Sequence, residues 1–216
     1  MSKYQKYGKR LDEIAREKFS AYEKAREQYQ KAKAKFESRG FLHSRSTTEE
    51  RLKHERIELE YREARENMNK AEREFRQIPS EIAELRKALC YEIKTDNRAN
   101  PEDLNQNVVT LLTTGVCKPD ELIDLYELAN ITTKRYISNY AGSILPKDPT
   151  ALGGMDPEDR AILNRIYQSG RALTNPEESP SVQNFDVMCE ALNRTVNNPA
   201  MIGYWGELTD GALNNM

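Results

Sequence analysis

Few residues are suited by type to do chemistry. Asp156, Glu158 and Asp159 place three carboxylates close together, a donor set that hard cations accept. The same triplet obeys the rule for a helix start, with an Asp N-cap and acids in the first turn complementing the helix dipole. The spacing favours that structural role. His43 and His54 stand outside ligand spacing with the cysteines Cys90, Cys117 and Cys189, which form no Cys-x-x-Cys pair. An odd number of widely spaced cysteines reads as reduced thiols. Gly153-Gly154 is a lone pair in a Pro-rich stretch and reads as flexibility, not as a phosphate cradle. No P-loop, nucleophile elbow or His-Glu-x-x-His occurs. The expectation is a protein that is not an enzyme, with no metal and no cofactor.

The stronger pattern lies in the elements that would position such residues. Ile57, Tyr61, Ala64, Met68, Ala71, Phe75, Ile78, Ile82, Leu85 and Leu89 alternate four- and three-residue spacings, the seam of a coiled coil. Upstream, Tyr4, Tyr7, Leu11 and Ile14 continue as Tyr22, Ala25, Tyr29, Ala32 and Phe36, with a stutter around Lys18 that holds Ala15 and Phe19. Gly40 ends the first stripe. Thr47 and Glu50 match a capping box that starts the second. Helices are expected over about 3–38 and 48–94, joined by a short loop and hence antiparallel, with a break or kink near Pro79. Folding back around residue 43 would bring facing positions to a sum near 86. Tyr29 would then meet Ile57, Ala25 meet Tyr61, Tyr22 meet Ala64, Leu11 meet Phe75 and Tyr4 meet Ile82.

Beyond residue 95 the composition shifts to prolines and short apolar stretches between capping signals. Asn100-Pro101 is expected to open a helix that carries Leu104, Val108, Leu111 and Leu112 and stops at Gly115. Pro119-Asp120-Glu121 opens another, continuing after a bend through Thr132 to Ala141, and Asp156-Pro157 opens a third. Linkers are placed at about 142–155 and 172–181. No strand pattern is evident, so the fold class is all-α: a charged helical hairpin over residues 1–95, then a small all-helical domain over 96–216.

Residues 1–95 carry 24 Lys and Arg against 18 Asp and Glu, whereas residues 96–216 carry 9 against 17. The split motivates two interaction readings. A basic first helix could track phosphates, but its acids Asp12, Glu13, Glu17, Glu23 and Glu27 interrupt that stripe and argue against nucleic acid. An acidic domain could mimic nucleic acid and inhibit or regulate a host enzyme. Apolar candidates for protein contact are Phe41 and Leu42 at the hairpin tip and Tyr204 and Trp205 in the tail. Each pair either docks a partner or fills the core. Leu59 is an apolar residue off the seam and hints at a second contact.

Val109 to Tyr140, centred on Gly115-Val116-Cys117-Lys118-Pro119-Asp120-Glu121-Leu122, resembles a stretch in uncharacterised phage and prophage proteins of Gram-positive bacteria. Those proteins also place a long charged helical segment upstream and are encoded among virion structural genes. The resemblance implies a scaffold-like or accessory virion component, with capsid or other virion proteins as partners. It carries over no functional residues. The expected protein acts by protein–protein contact in the host cytoplasm or virion, with no membrane span and no secretory signal. A homo-oligomer is left open, because the seam of Leu11, Tyr22, Ala25 and Tyr29 against Ile57, Tyr61, Ala64, Met68 and Phe75 could close within one hairpin or between two.

Overall fold

The computed structural model describes residues 2–42, 47–146 and 155–216. The described chain is all-helical, without strands. Its α-helices are α1 (Gln5–Ser38), α2 (Thr48–Asp96), α3 (Gln106–Thr113), α4 (Pro119–Leu128), α5 (Ile131–Ile144), α6 (Pro157–Thr174), α7 (Pro180–Asn197) and α8 (Trp205–Asn214). The fold is a helical hairpin followed by short helices, as the sequence pattern predicts. His43 and Gly153-Gly154 lie outside the described residues.

Two compact units emerge, and their boundary differs from the expected one near residue 95. The first comprises Met1–Leu85 with Phe185–Met216, the second Arg86–Asn184. The C-terminal residues therefore belong with the hairpin, not with a separate domain. The reason lies in α1, which carries more apolar surface than one partner helix can cover. Leu11, Ala15 and Phe19 are all buried, so the stutter widens the stripe there and offers a second apolar edge.

The hairpin starts and stops by local chemistry. Gly40 has φ +73° just after α1, the left-handed conformation that glycine adopts without Cβ strain. The predicted capping box forms: the Thr47 amide donates to Glu50 Oε2 at 2.7 Å and the Glu50 amide to Thr47 Oγ1 at 3.3 Å. No break occurs at Pro79. Helix α2 runs through it without interruption. Proline removes a single backbone donor, and packing of Phe75, Ile78 and Ile82, all buried on either side of it, outweighs that loss.

The proposed register is wrong. Tyr61 stacks on Phe36 and on Tyr29, with ring centroids 4.5 and 5.8 Å apart, and Phe75 stacks on Tyr22 at 4.6 Å. Lys35 pairs with Glu60 at 3.1 Å and Arg39 with Glu58 at 3.0 Å. Facing ring positions sum to between 90 and 97. The fold-back is thus displaced, and the first turns of α2 reach past the end of α1. Electrostatics explains the choice. The expected register would set Lys35 against Arg51, whereas the observed one sets Lys35 and Arg39 against glutamates and places rings on rings.

The second unit packs α3–α6 around Val108, Leu112, Leu122, Ile137, Ala141, Leu163 and Ile166. Asn100-Pro101 opens only a short 3-10 turn, Pro101–Asp103. Helix α3 begins separately, its Asn105 side chain accepting from the Asn107 and Val108 amides. Helix α5 has its own N-cap, Asn130, and is not a continuation of α4. Of the linker expected at 142–155, residues 142–144 lie inside α5, where Gly142 meets the Tyr167 ring of α6, and residues 147–154 lie outside the described residues. The end of α6, a 3-10 turn, Pro176–Glu178, and the start of α7 occupy most of the expected linker at 172–181. Ser179 and Ser181 are buried there.

Candidate functional site

The triplet with metal-ligand character resolves into a helix start. Asp156 accepts from the Glu158 amide at 2.9 Å and caps α6. Among the described residues, no group of three or more His, Cys, Asp or Glu is arranged to hold a metal ion. Burial and the carboxylates of Glu121 and Asp120 push the Cys117 thiol above its ordinary range, the reverse of what a nucleophilic cysteine needs.

The hairpin unit presents apolar residues at its tip. Phe41 is 94% exposed and Leu42 is exposed beside it. Phe41 does not pack back on Phe36, and the Arg39 guanidinium lies over that ring instead, 3.5 Å from its centroid. Arg39 is held by Glu58, and its Nη1 is buried without a hydrogen-bond partner among the described residues. The first turns of α2 add Leu52, 60% exposed, and Leu59, 44% exposed. An open groove of about 680 Å³ runs between Arg39, Phe41, Leu42, Lys53, His54 and Ile57.

No protein-family model, no curated protein and no solved structure matches this chain.

The tail pair separates. Tyr204 is 55% exposed, but Trp205 is 2% exposed and belongs to the core. Its indole N–H donates to Asp12 Oδ1 at 2.7 Å, and its ring meets Phe19 edge-on at 5.3 Å. Trp205 is thus an internal anchor and not a docking residue. Around it, Gly8 lets Leu213, Met216 and Met188 approach α1 closely, and Gln5 Nε2 donates to the Leu213 carbonyl at 3.1 Å.

Of the seam residues, Leu11, Ala25, Ala64 and Phe75 are buried, while Tyr22, Tyr29, Ile57, Tyr61 and Met68 are half-buried. The rings lean on one another and leave their edges to solvent. The Tyr29 and Tyr61 hydroxyls lie 3.5 Å apart, and that hydrogen bond raises the Tyr61 hydroxyl above its ordinary value. The seam is therefore occupied within the chain.

The charge split fades once the units are known. The first unit carries 22 Lys and Arg against 21 Asp and Glu, and the second 11 against 14. The acidic tail offsets the basic hairpin, so the contrast between residues 1–95 and 96–216 does not carry over to the two units. On α1 and at its C-cap, Arg10, Arg16, Lys18, Lys31, Lys33, Lys35 and Arg39 each sit within 4.0 Å of a carboxylate. Paired cations make a poor phosphate track. No helix among the described residues is long and apolar enough to cross a membrane.

Sequence reasoning missed Leu52 as part of the exposed surface. The signal was present as Leu52 and Leu59, seven residues apart and off the seam. The expected register hid it by keeping the end of α1 alongside the first turns of α2.

Proposed function

We propose that this chain acts by protein–protein contact through the hairpin tip, without catalysis, as a scaffold-like or accessory component of phage assembly. The observation that carries the reading is Phe41, 94% exposed beside Leu42 on a turn where Arg39 covers Phe36 in its place. An apolar ring and a neighbouring leucine left in water at the end of a braced helical pair are a costly arrangement for a surface with no partner. The resemblance of Val109–Tyr140 to proteins encoded among virion structural genes supports the assembly role. Capsid, portal and other virion proteins are the partners to test. Each, immobilised in turn, should capture the intact chain and lose it on Phe41→Ser combined with Leu42→Ser. Capture that survives the double substitution, or no capture by any of them, counts against the reading.

A further inference from the structure

The outer face of α2 carries a second, separate pattern. Leu52 and Leu59 are exposed, with Glu55 and Arg56 between them. At 3.6 residues per turn they lie on the side opposite Ile57, Tyr61 and Met68, roughly 160° around the helix. Helix α1 therefore leaves this face uncovered. A shallow groove of about 650 Å³ runs along it between Glu49, Leu52, Lys53, Glu55, Arg56 and Leu59.

The charges of this segment are antisymmetric about its midpoint, between Glu55 and Arg56. Laying a second copy of residues 49–62 antiparallel about that point sets Leu52 against Leu59 of the other copy. It also sets Glu49 against Arg62, Arg51 against Glu60, Lys53 against Glu58 and Glu55 against Arg56. Every charge except Glu50, which faces Tyr61 and already serves the Thr47 cap, meets its opposite. Two-fold symmetry makes each pair occur twice.

Alternative arrangements fail the same test. Centring on Leu52 opposes Lys53 to Arg51 and Glu55 to Glu49. Centring on Leu59 opposes Glu58 to Glu60, Glu55 to Glu63 and Arg56 to Arg62. Parallel pairing sets Glu55 against itself. Like charges across a helix pair are unfavourable and choose register. Lys35 and Arg39 already hold Glu60 and Glu58, so discrimination rests on Glu55–Arg56 and Glu49–Arg62. Glu49, Glu55, Arg56 and Arg62 make no ion pair with any described residue.

We propose that the outer face of α2 between Glu49 and Arg62 binds a second copy of this chain, antiparallel, with Leu52 packed on Leu59. This rests on the reading that the protein works through protein contacts, and it names one partner. Few apolar side chains are involved, so the dimer is reversible and weakens with salt.

The test uses the intact chain in sedimentation equilibrium from roughly 10 μM to 1 mM, the range in which weak dimers populate. The wild type should dimerise. Glu55→Arg alone and Arg56→Glu alone should each weaken the dimer by about tenfold or more, the equivalent of one decade in Kd. An equimolar mixture of the two variants should recover it, because each then faces its opposite. Absence of a dimer at the highest concentration, indifference to either substitution, or failure of the mixture to recover would each overturn the proposal. Capture of a virion protein through Phe41 and Leu42 is read separately, so either result can fail without the other.

Discussion

The Trp205 indole N–H donates to Asp12 Oδ1 at 2.7 Å, and Arg16 Nε reaches Asp12 Oδ2 at 2.8 Å. One carboxylate on α1 thus holds a residue 193 positions away in sequence and is itself steadied one helical turn on. The Arg16 guanidinium is correspondingly held above its ordinary value, mainly by the Asp12 hydrogen bond.

Breaking this pair should undock the tail. Trp205→Ala removes a buried ring and should lower unfolding free energy by about 3–5 kcal/mol. Asp12→Ala leaves a buried indole donor unsatisfied and should cost about 1–3 kcal/mol. Urea titration followed by circular dichroism measures both. Trp205 is the sole tryptophan, so Asp12→Ala should also shift its fluorescence to longer wavelength. Unchanged emission and midpoint would show that the contact contributes nothing.

Two glycines should respond in opposite directions. A Cβ at Gly170 would fall 1.8 Å from Ser138 Oγ and 2.1 Å from its Cβ. Gly170→Ala should therefore force α5 and α6 apart and cost about 1–3 kcal/mol or more. A Cβ at Gly211, inside α8, meets nothing within 4 Å. Gly211→Ala should stabilise by about 0.5–1 kcal/mol through helix propensity. Thermal melts of the two variants read both signs.

The Tyr29–Tyr61 hydroxyl contact should make the hairpin sensitive to alkali. Folding raises the Tyr61 value, chiefly through that hydrogen bond. Its contribution is fully present below the unfolded value of 10.0 and is lost as pH rises through the raised folded value. Stability should therefore fall with pH above about 10, and Tyr61→Phe should flatten the fall. Melting midpoints of both proteins across that window test the sign. A slope identical in the variant would assign the loss to other groups.

Substitution at the tip should separate binding from folding. Phe41→Ser changes a side chain that is 94% exposed, so unfolding free energy should stay within about 0.5 kcal/mol of wild type. A larger loss in a urea titration would mean that Phe41 packs in solution.

Local chemistry was legible in the sequence. The Thr47–Glu50 capping box, the Asp156 cap and the helix started by Pro119 depend on groups within a few residues, and all form. The heptad stripe fixed α2 as a helix and its inward face. The stutter between Leu11 and Tyr22 already marked where α1 needs extra cover, since a shift in period turns a second edge of the helix inward.

Three matters were decided only by tertiary structure. Periodicity repeats every few residues, so it permits several registers. Rings stacking on Tyr61 and Phe75, and glutamates meeting Lys35 and Arg39, selected one. Proline signals a break or a kink, and of these the break does not occur, because burial on both sides of Pro79 kept the helix whole. Composition placed the tail with the short helices, whereas Trp205 assigns it to the hairpin unit. The stutter shows that α1 needs cover, but which residue 193 positions away supplies it leaves no mark on local pattern. The sequence determined which face of each helix is apolar. The third dimension decided which apolar face meets which, because that depends on the mutual fit of side chains remote along the chain.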